Sequence, residues 1–191
     1  MLKNKEVFYK IVLSVIPGVA VCATALSSVV FGAISFVTVV VSWLLVCLIK
    51  NFLTEKTLPF AAAVISLGIT GVLTMVASLF FKSYLEDVAY YLPLLAVTTT
   101  LLISKENVFG TIKNTLVTSL WSGGVGAVFL IITGILKEFL GNGSLFGFDI
   151  YTKIFSPAEF FKSSAGGLLI AAGLTVVYNL IVKGSEKRGA E

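Results

Sequence analysis

The stretch Ile11–Ile49 reads IVLSVIPGVAVCATALSSVVFGAISFVTVVVSWLLVCLI and carries no charge over 39 residues. One helical membrane span needs about 20 apolar residues. The run is therefore two spans joined by a tight turn, expected around Ser27–Ala33. Further uncharged runs follow at 58–81, 88–104, 114–136 and 163–182. Six helices are predicted, roughly over 9–27, 31–50, 58–81, 87–104, 114–136 and 163–183. The expected fold class is an all-α integral membrane protein, with a single membrane domain over residues 1–191.

Composition agrees with that reading. Hydrophobic residues make up 57% of the 191, and charged residues only 13%. A soluble domain carries about 25% charged residues, so this chain cannot cover a globule of its size with polar surface. A water-soluble enzyme and a disordered chain are both excluded. The net charge of +4 comes from basic residues set between apolar runs. They read as charges that orient helices, not as a nucleic-acid site.

Catalytic chemistry is scarce. There is no histidine, which removes the usual general base and the serine–histidine arrangements. The two cysteines, Cys22 and Cys47, lie inside apolar runs and form no CxxC, so no metal site is read from them. No catalytic residue is expected. Glu106 and Glu138 stand at the predicted span ends, with no carboxylate inside a span. Gly141-Asn142-Gly143 reads as a turn, and Ser163, Gly167 and Ala171 as a small-residue packing face.

With six spans, ten of the 14 basic residues fall on one side, and Lys82, Lys137, Lys153 and Lys162 on the other. The basic excess places both termini in the cytoplasm, in a multi-pass membrane protein. Ala23-Thr24-Ala25 mimics a cleavage site, but the chain continues straight into another span, so an uncleaved anchor is expected. Val21 stands where a lipobox needs a small residue before Cys22, so lipidation is not expected.

Segment 16–26, IPGVAVCATAL, and segment 92–102, LPLLAVTTTLL, share Pro, Ala, Val, Thr and Leu at an offset of 76 residues. Three spans in each half (about 1–82 and 83–191) make the second copy inverted. Proline lacks an amide hydrogen and clashes with the preceding turn. Pro17, with Gly18 beside it, and Pro93 are therefore expected to break helices one and four near the midplane. Thr98, Thr99 and Thr100 complete the candidate midplane site, answered by Thr24, Ser27 and Ser28 in the other half.

Three stretches resemble one family. Ile16–Thr24 (IPGVAVCAT) is similar to its CPALAVT segment, and Leu92–Phe109 (LPLLAVTTTLLISKENVF) to its IPLIVVNC…GRAEAF segment. Leu136–Gly147 (LKEFLGNGSLFG) is close to REILGNGTLFG, the most specific of the three. The chain resembles the E-type membrane subunit of the Rnf ferredoxin:NAD oxidoreductase and the D subunit of the sodium-pumping NADH:quinone reductase. The resemblance implies a homologous six-helix sister subunit and the surrounding membrane lipid as partners. It also implies a complex carrying FMN, riboflavin and iron–sulfur clusters, with ion translocation coupled to electron relay. In the family each of the two chains gives two cysteines to one two-iron cluster. Here the matching positions are Ile16 and Thr99, and such clusters are held by thiolates or imidazoles. Cys22 lies six residues beyond Ile16, a weak substitute. A cluster relay through this chain is not expected. Span count and broken uncharged helices also fit a small six-helix transporter, or the substrate-binding membrane part of a vitamin importer.

Overall fold

The computed structural model describes residues 2–22, 24–80, 89–102, 111–145, 148–149 and 159–188. Six α-helices lie within them: α1 (Leu2–Val21), α2 (Ala25–Leu48), α3 (Leu58–Phe80), α4 (Leu95–Leu102), α5 (Ile112–Asn142) and α6 (Ser164–Arg188). Short 3-10 turns at Lys50–Phe52, Ala89–Leu94 and Glu159–Lys162 precede α3, α4 and α6. A two-stranded antiparallel hairpin, β1 (Ser144–Leu145) with β2 (Phe148–Asp149), follows α5. The protein is an all-α membrane protein. Helices α2, α3 and α5 are each long and apolar enough to cross a membrane, and shorter apolar helices run over Phe8–Ala20, Leu92–Leu102 and Ser164–Leu180.

Several boundaries differ from the sequence expectation, and two of the differences shape the site. Helix α1 ends at Val21 and α2 starts at Ala25, so the change of helix comes before the expected Ser27–Ala33. Thr24 caps α2 in a reciprocal box: its hydroxyl accepts from the Ser27 amide at 3.2 Å, and the Ser27 hydroxyl accepts from the Thr24 amide at 3.1 Å. These bonds satisfy amides that have no partner inside the helix, so α2 starts there. Helix α5 does not stop at 136 but runs through Lys137 and Glu138 to Asn142. It ends where Gly143 adopts a left-handed conformation (φ 68°) that suits glycine, its amide donating to the Phe139 carbonyl at 3.1 Å. The expected turn at 141–143 thus shrinks to its last residue. Glu106, Lys82 and Lys153 lie outside the described residues.

The α2–α5 pair forms the spine. The helices run antiparallel, with Cys47 beside Thr115, Val39 beside Gly123 and Ser28 beside Gly134. The buried face of α5 steps through Thr115, Ser119, Ser122, Gly126 and Phe129 to Thr133, every third or fourth residue. Small residues there let the backbones approach, which is how helices associate when lipid is as apolar as the core. At Gly134 the approach is closest, because a Cβ would collide with the Ser28 side chain.

Helix α1 runs parallel to α5, with Ile11 and Val15 against Gly126 and Gly18 against Leu130. It runs antiparallel to α6: Phe8 stacks on Tyr178 with ring centroids 3.6 Å apart, and the Tyr9 hydroxyl donates to Asn179 at 2.6 Å. The start of α1 and the finish of α6 therefore share one end of the bundle. Helix α3 buries only a stripe, Leu58, Ala62, Ser66 and Thr70, and turns most of its apolar residues outward.

Candidate functional site

The polar centre of the molecule is the α1–α2 turn. Helix α1 ends with carbonyls that lack intrahelical partners, and α2 begins with unpaired amides. In a bilayer no water is at hand to satisfy such groups. The chain supplies partners from two consecutive residues of α5. A Glu138 carboxylate oxygen accepts from the Ala25 amide at 2.6 Å. Lys137 lies on the other side of the turn, near the end of α1. A Cβ built on Gly167 of α6 would sit 2.9 Å from the Val19 carbonyl oxygen and 3.3 Å from the Lys137 Nζ. Helix amides favour negative charge at a helix start, and helix carbonyls favour positive charge at a helix end. The signs are thus placed correctly: the anion at the start of α2, the cation by the end of α1.

Both charges are buried, Lys137 at 2% exposure and Glu138 at 4%. Cys22 completes the cluster, buried against the Ser28 hydroxyl and within electrostatic reach of Lys137. The Ser28 hydroxyl donates to the Thr24 carbonyl at 2.8 Å. Sequence reasoning missed this centre because Lys137 and Glu138 end an uncharged run and so read as a span edge. Lys137 accordingly leaves the count of loop charges. The usable signal was Glu138 three residues ahead of Gly141-Asn142-Gly143, which puts it inside a helix that the glycine ends.

The residues of the expected midplane site lie on α1, on α4 and on the 3-10 turn before α4. Pro17 lies inside α1, which continues through it to Val21, so the helix does not break there. Gly18 is a contact point, its Cβ position filled by Phe31 and Leu130. Pro93 does mark a change of helix type, sitting in the 3-10 turn that becomes α4 at Leu95. The Thr98 hydroxyl ties α4 to α1 by donating to the Ser14 carbonyl at 2.8 Å. Thr99 and Thr100 donate to carbonyls of their own helix, Leu95 and Ala96, at 3.0 and 2.7 Å.

The donor set does not fit a thiolate-held two-iron cluster. Ile16 is 36% exposed and offers no ligand atom, while Thr99 is buried with its hydroxyl engaged. Cys22 and Cys47 are both buried and free of disulfides. Cys22 precedes α2 and Cys47 lies in its last turn, so the helix from Ala25 to Cys47 sets them about 33 Å apart at 1.5 Å per residue. They cannot share one cluster. Among the described residues no group of three cysteine or acidic side chains is placed to hold a metal.

Known proteins place this chain clearly. A family described as "Rnf-Nqr subunit, membrane protein" matches residues 1–181. The chain is 24% identical over 184 residues to the E-type subunit of the proton-translocating ferredoxin:NAD(+) oxidoreductase complex of Clostridium ljungdahlii, covering 94% of this chain and 85% of that one. It is 29% identical over 140 residues to the E-type subunit of the ion-translocating oxidoreductase complex of Shewanella frigidimarina, covering 71% of this chain and 59% of that one. The same-named protein of Haemophilus influenzae (strain PittGG) is 26% identical over 139 residues, 70% of this chain and 58% of that one. Matched along nearly its full length, and folded as apolar helices around a charged turn, the chain belongs to the Rnf-Nqr family of membrane subunits.

Proposed function

We propose that this chain is an integral-membrane subunit of an Rnf/Nqr-like ion-translocating electron-transport complex in the bacterial inner membrane. The observation that carries this reading is the family match over residues 1–181, together with relatives named as the E-type subunit of such complexes. In this reading the chain forms the membrane core with a homologous six-helix sister. Its two halves, about 1–82 and 83–191, are inverted copies, and both termini face the cytoplasm. The outward apolar face of α3, with Val64, Val72, Met75 and Leu79 exposed, supplies surface for such a neighbour.

The chain's own contribution is structural. Iron–sulfur clusters of the complex belong to other subunits, because Ile16 and Thr99 supply no thiolate at the family's ligand positions. Lys137 and Glu138 hold the α1–α2 turn at a fixed depth, and that turn forms part of the wall of the ion and electron path.

The test is purification of the native protein in mild detergent, with mass spectrometry of co-purifying chains and assay of iron and flavin. A homologous six-helix chain together with flavin-carrying subunits is expected. A fully active monomer, or an ATPase pair as the only partners, would overturn the reading.

A further inference from the structure

Beside the charged turn, the described residues enclose a large apolar concavity of about 460 Å³, a groove between α1, α5 and α6. Phe8, Trp121, Val128, Ile132, Leu174 and Tyr178 line it. Helices α5 and α6 meet closely where Gly167 contacts Lys137. The end of the groove lined by Phe8 and Tyr178 lies toward the end of the bundle shared by the start of α1 and the finish of α6.

We propose that this groove holds an acyl chain of an anionic phospholipid, its headgroup resting on the basic helix ends beside it. Length selects the occupant. The groove follows α5 from Leu120 to Ile132, about 18 Å at 1.5 Å per residue. That is close to one leaflet of hydrocarbon, half of a core of about 30 Å. A partner helix crossing the bilayer needs the whole 30 Å or so.

Polarity sets the depth. Trp121 and Tyr178 both line the groove, and Trp and Tyr favour the headgroup level. Charge names the headgroup. The first turns of α1 carry Lys3, Lys5 and Lys10, the first turn of α5 carries Lys113, and the last turns of α6 carry Lys183, Lys187 and Arg188. Against these seven stand only Glu6 and Glu186 on the same helix ends. Lys10 and Lys113 are exposed. Basic pockets between membrane helices bind anionic headgroups in this way.

Trp121 makes the proposal measurable. The chain has two tryptophans: Trp43 is fully buried, and Trp121 is 68% exposed in the groove. The full chain is reconstituted in phosphatidylcholine vesicles containing a minor fraction of either phosphatidylglycerol or phosphatidylcholine with brominated acyl chains. Brominated phosphatidylglycerol should quench Trp121 as though enriched about fivefold over its bulk fraction, the order expected for a single basic side chain near an anionic surface. Brominated phosphatidylcholine should quench only in proportion to its fraction. Lys10→Gln with Lys113→Gln should cut the enrichment severalfold and leave quenching by phosphatidylcholine intact. Gly124→Leu, which adds bulk where only Phe36 lies within 4.0 Å, should block the groove for both lipids, and Val128→Phe provides a second filling variant. Equal quenching by the two lipids in the parent protein overturns the proposal. So does an enrichment that survives both the lysine and the groove-filling variants. Absence of quenching by either lipid overturns it too, since protein would then cover Trp121.

Discussion

Glu138 accepts the Ala25 amide at 2.6 Å across 113 residues of sequence. Through this bond the fifth helix holds the start of the second. The acceptor is a buried carboxylate, and hydrogen bonds to charged groups contribute about 1.5–3 kcal/mol each.

Glu138→Ala should therefore lower stability by about 2–3 kcal/mol, because it leaves a buried amide unpaired. Glu138→Gln keeps an acceptor oxygen and should cost roughly half as much. Denaturant titration in mixed micelles reads both. Equal stability of the two variants would show that the carboxylate is not the cap.

Gly134→Ala should destabilise by about 1–3 kcal/mol through overpacking against the Ser28 side chain. Ser28→Gly removes that side chain and should restore part of the loss. A double-mutant cycle measures the coupling, and simple additivity of the two changes would refute the close approach.

The two thiols are packing groups in this structure, so Cys22→Ser with Cys47→Ser should leave the iron content of the complex unchanged. The serine at 22 meets the Ser28 hydroxyl and the one at 47 meets Thr115. The combined stability cost should stay within about 1–3 kcal/mol. Loss of iron on Cys22→Ser alone would make Cys22 a cluster ligand and reinstate an electron relay through this chain.

A reporter fused after Glu191 should be active only in the cytoplasm. Eight of the ten basic residues counted on that side lie at or near helix ends, and Lys137 no longer counts for the opposite side because it is buried in α5. Activity outside the cytoplasm would contradict the orientation.

The helices are legible in the sequence wherever absence of charge is the signal. The run 11–49 has to hold parts of two helices, and it does. Position within the run is not legible, because halving it ignores Thr24 and Ser27, whose reciprocal bonds start α2. Serine stands where the usual box has Glu or Gln, which hides the pattern. Lys137 and Glu138 are misplaced for a related reason. A buried charge is costly unless partners await it, and those partners, Ala25 and the end of α1, lie more than a hundred residues away. Thr98–Thr100 do form a hydroxyl cluster beside a proline, but local sequence does not tell a hydroxyl that bonds its own helix from one that reaches another. Of the three, Thr98 reaches another helix.

The cap on α2 also imposes an order on biogenesis. The α1–α2 hairpin enters the membrane long before Glu138 exists, and the 113 residues between them take roughly 6–23 s to synthesise at about 5–20 residues per second. For that interval the nascent hairpin carries an Ala25 amide without its final acceptor, at a site where Lys137 is also still missing. Chains that stop short of residue 138 remain in that state permanently. Those truncated products are the ones that membrane proteases should clear fastest, and the step that ends the vulnerable period is the insertion of α5.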